Sequence, residues 1–99
     1  MPYVVLVTAT AEKMLKKLPP QVKREIVQAA LQLQENPRLG DSLTGELRRF
    51  RSLHIKLNNV HYRIAYEINE PHQEVLIRAV AVRENFYRRL EKMKRKSTA

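Results

Sequence analysis

The chain reads as an α+β protein in the order β-α-α-β-β-β-α, a helical hairpin packed on a small, mostly antiparallel twisted sheet and closed by a C-terminal helix. Three observations lead there. Apolar residues recur at helical spacing in two consecutive segments separated by Pro19-Pro20. From Leu53 onward they switch to strict alternation, and that change of period from 3.6 to 2 separates a helix face from a strand face. The length, 99 residues, suits one modest core, so residues 1–99 read as a single domain with 92–99 as a frayed basic tail.

The elements follow in order. Tyr3 to Val7 is a β-branched and aromatic run, expected as a buried strand. Thr8 or Thr10 supplies an N-cap, with Glu12 well placed for the first turn of a helix. Ala11, Met14, Leu15 and Leu18 then form one apolar face while Lys13, Lys16 and Lys17 stay outside. Pro19-Pro20 ends that helix and opens the next, since proline is tolerated in a first turn. Val22, Ile26, Ala29, Ala30 and Leu33 mark the second buried face, which Asn36-Pro37 stops. Arg38 to Gly45 is expected as a loop anchored by Leu43. Leu53, Ile55 and Leu57 alternate with Ser52, His54 and Lys56, and Tyr62, Ile64, Tyr66 and Ile68 with Arg63, Ala65 and Glu67. Asn58-Asn59 between them suits a hairpin turn, because asparagine tolerates left-handed backbone angles. After a turn at residues 69–72, Val75 to Val82 is apolar on both faces apart from Arg78, as a central strand should be. Glu84 to about Lys94 has helical composition, with Phe86, Tyr87 and Leu90 as its less polar positions.

Charge narrows the partners. Nineteen Lys and Arg against ten acidic residues give a net +9 and a pI near 10.3, which favours a polyanion. Residues 46–63 carry a net +4 and residues 83–99 a net +5, whereas 64–82 carry −2. The excess thus gathers at the first hairpin and just past the last strand, regions that a meander can bring together. There is no cysteine, so a disulfide framework, a thiolate nucleophile and a Cys-based metal site are excluded, which fits a reducing cytoplasm. Tyr3–Val7 is too short for a signal segment and no run approaches the ~20 apolar residues of a membrane span. A cytoplasmic protein without a membrane partner is expected.

His54 and Lys56 leave their strand by the same face, opposite Leu53, Ile55 and Leu57, and Arg63 on the next strand can point the same way. Arg83 ends the last strand and Tyr87 follows one helical turn later. Arg48, Arg49, Arg51 and Arg88 flank this set as candidate RNA contacts. Cleavage by a ribose 2′-hydroxyl needs a base for its proton, positive charge on the phosphorane and an acid for the departing 5′-oxygen. Arginine donates in parallel to two phosphate oxygens, an imidazole titrates near neutrality, and a tyrosine face stacks on an unpaired base. Duller readings stand beside these: a surface His54, Lys56 and Arg63 paired with Glu67 or Glu46, and Tyr87 packed under its helix. His61 and His72 read as turn residues. Three histidines without acidic clusters give no metal signal, and two glycines give no phosphate loop, so no cofactor is expected.

Several segments together resemble the RelE/ParE toxin superfamily: Leu43-Thr44-Gly45-Glu46-Leu47-Arg48, His54-Ile55-Lys56-Leu57, His61-Tyr62-Arg63-Ile64-Ala65-Tyr66 and Val80-Ala81-Val82-Arg83-Glu84-Asn85-Phe86-Tyr87. The resemblance covers residues 3–90. It implies the toxin of a type II toxin–antitoxin pair, held by a cognate acidic RelB-like antitoxin and meeting operator DNA only through it. RelE-like members enter the ribosomal A site and cut mRNA by 2′-hydroxyl attack without metal; ParE-like members share the fold, lack the cationic set and poison DNA gyrase. By position, Lys56 resembles a sheet lysine of the RelE site, Arg63 its phosphate-binding arginine, Arg83 the arginine proposed as general acid, and Tyr87 the base-stacking tyrosine. Two departures stand out. His54 occupies the position of a second lysine, where it could serve as base or weaken activity, and Arg83 and Tyr87 lie closer together than in the best-known member. A basic RNA-binding module without catalysis is the remaining alternative.

Overall fold

A computed structural model of the chain describes residues 2–82 and Leu90. The sheet has five strands in the order β1-β5-β4-β3-β2: Val4–Val7 (β1), Asp41–Ser42 (β2), Arg51–Leu57 (β3), Val60–Asn69 (β4) and Glu74–Val82 (β5). All neighbours run antiparallel except β1 and β5, which are parallel. Two helices, Ala9–Lys16 (α1) and Pro20–Leu31 (α2), connect β1 to the rest and pack on one face. The expected α+β fold is present, with β5 in the interior of the sheet.

Local chemistry explains the elements. Thr8 caps α1, its hydroxyl accepting from the Ala11 amide at 3.3 Å and donating to the Ile77 carbonyl at 3.0 Å. One side chain thus closes a helix start and ties it to β5; such caps contribute about 1 kcal/mol. Proline opens α2, where its missing N–H costs nothing. The expected face is buried at Ile26 and Ala30, but α2 ends at Leu31 and a 3₁₀ turn, Gln32–Gln34, carries Leu33 into the core. The tighter turn comes well before Asn36-Pro37. Asn58 and Asn59 have φ of 49° and 65°, so β3 and β4 are joined by a two-residue left-handed turn with Leu57 and Val60 as its flanking pair.

Two expectations change. β1 is an edge strand rather than a buried one: Val5 packs on the core, while Val4, Leu6 and Val7 are 54%, 40% and 45% exposed. It pairs only with β5, and α1 and α2 pack on one face of the sheet. The loop expected over residues 38–45 also contains a strand, the two-residue β2, too short for period-two patterning to reveal. A second irregularity lies in β5, where Ala65 pairs with Ala79 but Tyr66 with Ile77, leaving Arg78 as a bulge. The bulge lets Ile77 and Val80, three residues apart, both join the core under the helices.

That core joins Ala11, Leu15, Ile26, Ala30 and Leu33 to Tyr62, Ile64, Tyr66, Val75, Ile77 and Val80. Each large side chain so buried contributes ~1.5–3 kcal/mol. A second cluster of Leu47, Phe50, Ala65, Ala79 and Leu90 lies against Met14 and Leu43. Ala65 and Ala79 alternate with core residues, so they belong to the other face of the sheet. Leu90 is helical and fully buried; otherwise the expected C-terminal helix lies outside the described residues.

Candidate functional site

The site is built by strand parity. Along β3, Leu53, Ile55 and Leu57 pack on the helix-side core, so Ser52, His54 and Lys56 leave by the opposite face. Along β4, Tyr62 and Ile64 go to the core and His61 and Arg63 go with the β3 polar set. The two-residue turn sets the register: His54 stands directly opposite Arg63, and Lys56 opposite His61. At the hairpin end of this face the chain therefore gathers a lysine, an arginine and two imidazoles, with Ser52 behind them.

Hydrogen bonding organises the group. Arg63 donates from Nη1 to the hydroxyl of buried Ser52 at 3.3 Å, which places its guanidinium along the sheet. His54 Nε2 lies 2.7 Å from His61 Nδ1. The ring planes are within 10° and their centroids 4.8 Å apart. Since each ring nitrogen sits roughly one ring radius from its centroid, those distances describe an edge-to-edge hydrogen bond in the ring plane rather than face stacking. Lys56 is exposed beside them.

The other candidates are placed differently. Arg51, expected among the RNA contacts, has its guanidinium on the chain's own loop: Nε donates to the Gly40 carbonyl at 3.0 Å, Nη1 to the Ser42 hydroxyl at 3.1 Å and Nη2 to the Arg38 carbonyl at 3.1 Å. Its pairing with Tyr66 puts it at a helix-side position of β3. Arg49 lies 3.7 Å from Glu67 and 4.8 Å over the Phe50 ring, while Arg48 is exposed and reaches the Gly45 carbonyl at 3.5 Å. Glu67, a possible partner for Lys56 and Arg63, instead pairs with Arg78 at 2.5 Å as well as with Arg49. Arg83, Tyr87 and Arg88 lie outside the described residues.

Sequence reasoning passed over two residues, His61 and Ser52. His61 was expected in a turn and is the second residue of β4. The signal was available: a strict two-residue Asn-Asn turn puts residues 61 and 63 on the face of residues 54 and 56 by counting alone.

This sheet, with its paired hairpin and cationic face, has relatives. Residues 5–91 match the family described as the ParE-like toxin of type II bacterial toxin–antitoxin systems. The chain belongs to this toxin family. The RelE/ParE-family chain is 37% identical over 91 residues to toxin RelG of Mycobacterium tuberculosis, an alignment covering 90% of this chain and all of that one. Its fold is similar to that in the toxin–antitoxin complex RelBE2 of M. tuberculosis, with a TM-score of 0.75 and 35% identity over 84% of this chain and 93% of the other. The intact Escherichia coli RelBE complex gives 0.67 and 24%, over 80% and 94%, a likeness of fold. Among the described residues of this toxin, no helix is long and apolar enough to cross a membrane.

Proposed function

We propose that this type II toxin is a ribosome-dependent endoribonuclease that inhibits translation in the cytoplasm by cleaving mRNA in the A site. The observation that carries the reading is the cross-strand pairing of His54 with Arg63, flanked by Lys56, on the sheet face turned away from α1 and α2. A base and positive charge for the phosphorane are two of the three things that cleavage by 2′-hydroxyl attack requires, the third being an acid for the 5′-oxygen.

The chemistry assigns roles. His54 or Lys56 removes the 2′-hydroxyl proton, and the resulting oxyanion attacks the adjacent phosphorus. Arg63, steadied by Ser52, stabilises the charge on the phosphorane oxygens through parallel donors. The P–O5′ bond breaks, leaving a 2′,3′-cyclic phosphate, and the 5′-oxygen takes a proton, for which the resemblance nominates Arg83. Tyr87 would stack on a base, and Arg48, Arg49 and Arg88 would add to RNA binding, whereas Arg51 is committed to its own loop. Resident metal or organic cofactors are not part of this scheme.

The regulatory partner is inferred from the relatives and from charge. The M. tuberculosis RelBE2 and E. coli RelBE structures are toxin–antitoxin complexes. A chain of net +9 would be neutralised by an acidic RelB-like antitoxin laying a helix or strand over its apolar and basic surfaces. Operator DNA would be reached only through that antitoxin.

The test is in vitro translation with primer extension on the message. Ribosome-dependent cuts within codons, suppressed by the antitoxin, are expected. Blocked gyrase supercoiling without cleavage would favour the ParE-like reading. RNA binding with neither effect would leave a non-catalytic RNA-binding module.

A further inference from the structure

The proposed chemistry uses His54 and leaves His61 without a task, yet the two rings are joined by the 2.7 Å contact between His54 Nε2 and His61 Nδ1. Such a bond holds one proton between two nitrogens, so one ring must donate and the other accept. With Nε2 committed to His61, any proton transfer at His54 must run through Nδ1. The near-coplanar rings make the bond in-plane, the geometry in which a ring is both aimed and held in one tautomer.

From this geometry we infer that His61 is a positioning residue for the 2′-hydroxyl proton transfer, forming with His54 a one-proton imidazole dyad that delivers His54 Nδ1 to the substrate. The inference rests on the endoribonuclease reading and deepens it. The proton balance is closed within the dyad. In the productive tautomer His54 Nε2–H donates to His61 Nδ1; the 2′-hydroxyl proton moves to His54 Nδ1, and the positive charge is shared as His54 Nε2–H leans toward His61. The 2′-oxygen–phosphorus bond forms, P–O5′ breaks, and the leaving oxygen takes its proton from an acid on its own side. The dyad then releases the proton it gained to solvent.

The surroundings bear on when this works. Lys56 faces His61 across the strands and Arg63 faces His54, while Ser52 is Arg63's hydrogen-bond partner and Ala81 stands opposite Arg63 on β5. Among the described residues, the charged groups nearest the dyad in register are thus both cations. A proton already on His54 Nδ1 occupies the nitrogen that must accept from the 2′-hydroxyl, so the dyad works as a base only while that nitrogen is unprotonated.

The experiment pairs kinetics with ring-nitrogen spectroscopy on the full chain. Single-turnover cleavage of ribosome-bound mRNA is followed from about pH 5.5 to 8.5, with imidazole ¹⁵N shifts recorded over the same range. His61→Ala is expected to lower the maximal rate by about tenfold or more at unchanged half-saturating ribosome concentration, and to displace the acid limb of the profile. His61→Asn, whose side-chain amide can occupy the Nδ1 position, is expected to restore most of the neutral-pH rate. In the wild type, the ¹⁵N shifts of His54 and His61 should report a shared N–H···N hydrogen bond, and that signature should vanish in His61→Ala. Cleavage that is indifferent to His61→Ala and to His61→Asn, with the His54 ring-nitrogen shifts unchanged, overturns the positioning role and leaves the endoribonuclease reading standing. Wild-type protein that never cleaves overturns that reading and the role with it.

Discussion

The two ends of this small sheet carry the same kinds of side chain and use them differently. At the end where β4 turns into β5, cations are held by the chain itself. Arg51 braces the 38–42 loop through three hydrogen bonds, Arg38 and the Tyr3 hydroxyl share Glu70, and Arg78 pairs with Glu67. At the hairpin end the basic groups are arranged around one another: Arg63 against Ser52, His54 against His61, and Lys56 exposed alongside. What separates the two is parity along β3. Residues 51 and 52 are neighbours in sequence, yet Arg51 stands at a helix-side position and Ser52 on the face of the candidate site. Composition cannot separate an arginine that braces a loop from one on the face of the candidate site, whereas a one-residue offset on a strand does.

The largest expected effect breaks the hairpin end. Arg63→Ala should lower ribosome-dependent cleavage by about 10²-fold or more, the usual loss when a donor to a developing oxyanion is removed. Its unfolding free energy should change by no more than about 1 kcal/mol. Cleavage rates and a urea titration on the same preparation test both halves. Equal losses of fold and activity would return Arg63 to the structural group.

Gly40→Ala should do the reverse. A Cβ there would come within 2.7 Å of the Ser52 carbonyl oxygen and 2.9 Å of the Tyr66 hydroxyl. Neither can move freely: the Tyr66 hydroxyl is fully buried, donates to the Pro37 carbonyl at 2.7 Å and accepts from the Gly40 amide at 2.9 Å, and the Ser52 carbonyl belongs to β3. Overpacking of this kind costs about 1–3 kcal/mol, so a lower denaturation midpoint is expected with cleavage per folded molecule retained. Arg51→Ala sits below it, at about 1 kcal/mol, since its three bonds are only partly shielded from water. A loss of cleavage exceeding the loss of folded protein would move Arg51 across to the working side.

These contrasts also show what the sequence could and could not reveal. Alternation located β3 and β4, a run apolar on both faces located β5, and Pro19-Pro20 with a Thr8 or Thr10 cap located the helical hairpin, because each is a local signal on a long enough segment. The grouping of His54, Lys56 and Arg63 followed from the same counting. β2 escaped because two residues have no period, and the exposure of β1 escaped because an edge position is set by which strands form neighbours, not by the strand's own residues. The Arg78 bulge is invisible in an apolar run whose two faces read alike. His61 was misplaced because its neighbourhood with His54 depends on the exact length of the Asn-Asn turn.

The smallest effect sharpens the bracing end and shows only away from neutrality. The Tyr3 hydroxyl donates to Glu70 Oε2 at 2.6 Å, and this bond, followed by Arg38, holds the Glu70 carboxyl below its ordinary range. The folded chain therefore takes up that proton less readily than the unfolded one. The contribution is complete above the unfolded value of about 4.3 and is lost as pH falls through the lower folded value. Tyr3 runs the other way, raised first by its bond to Glu70, so its share is present below the unfolded value of about 10 and lost as pH rises through the folded one. Because the cluster is exposed, salt should shrink both effects. Glu70→Gln should lower the denaturation midpoint slightly at neutral pH and converge on the wild type in acid, and added salt should narrow the neutral gap. A gap constant across pH and salt would mean that Glu70 acts by shape rather than charge, and the electrostatic share of the bracing end would then rest on Arg51 and the Arg78–Glu67 pair.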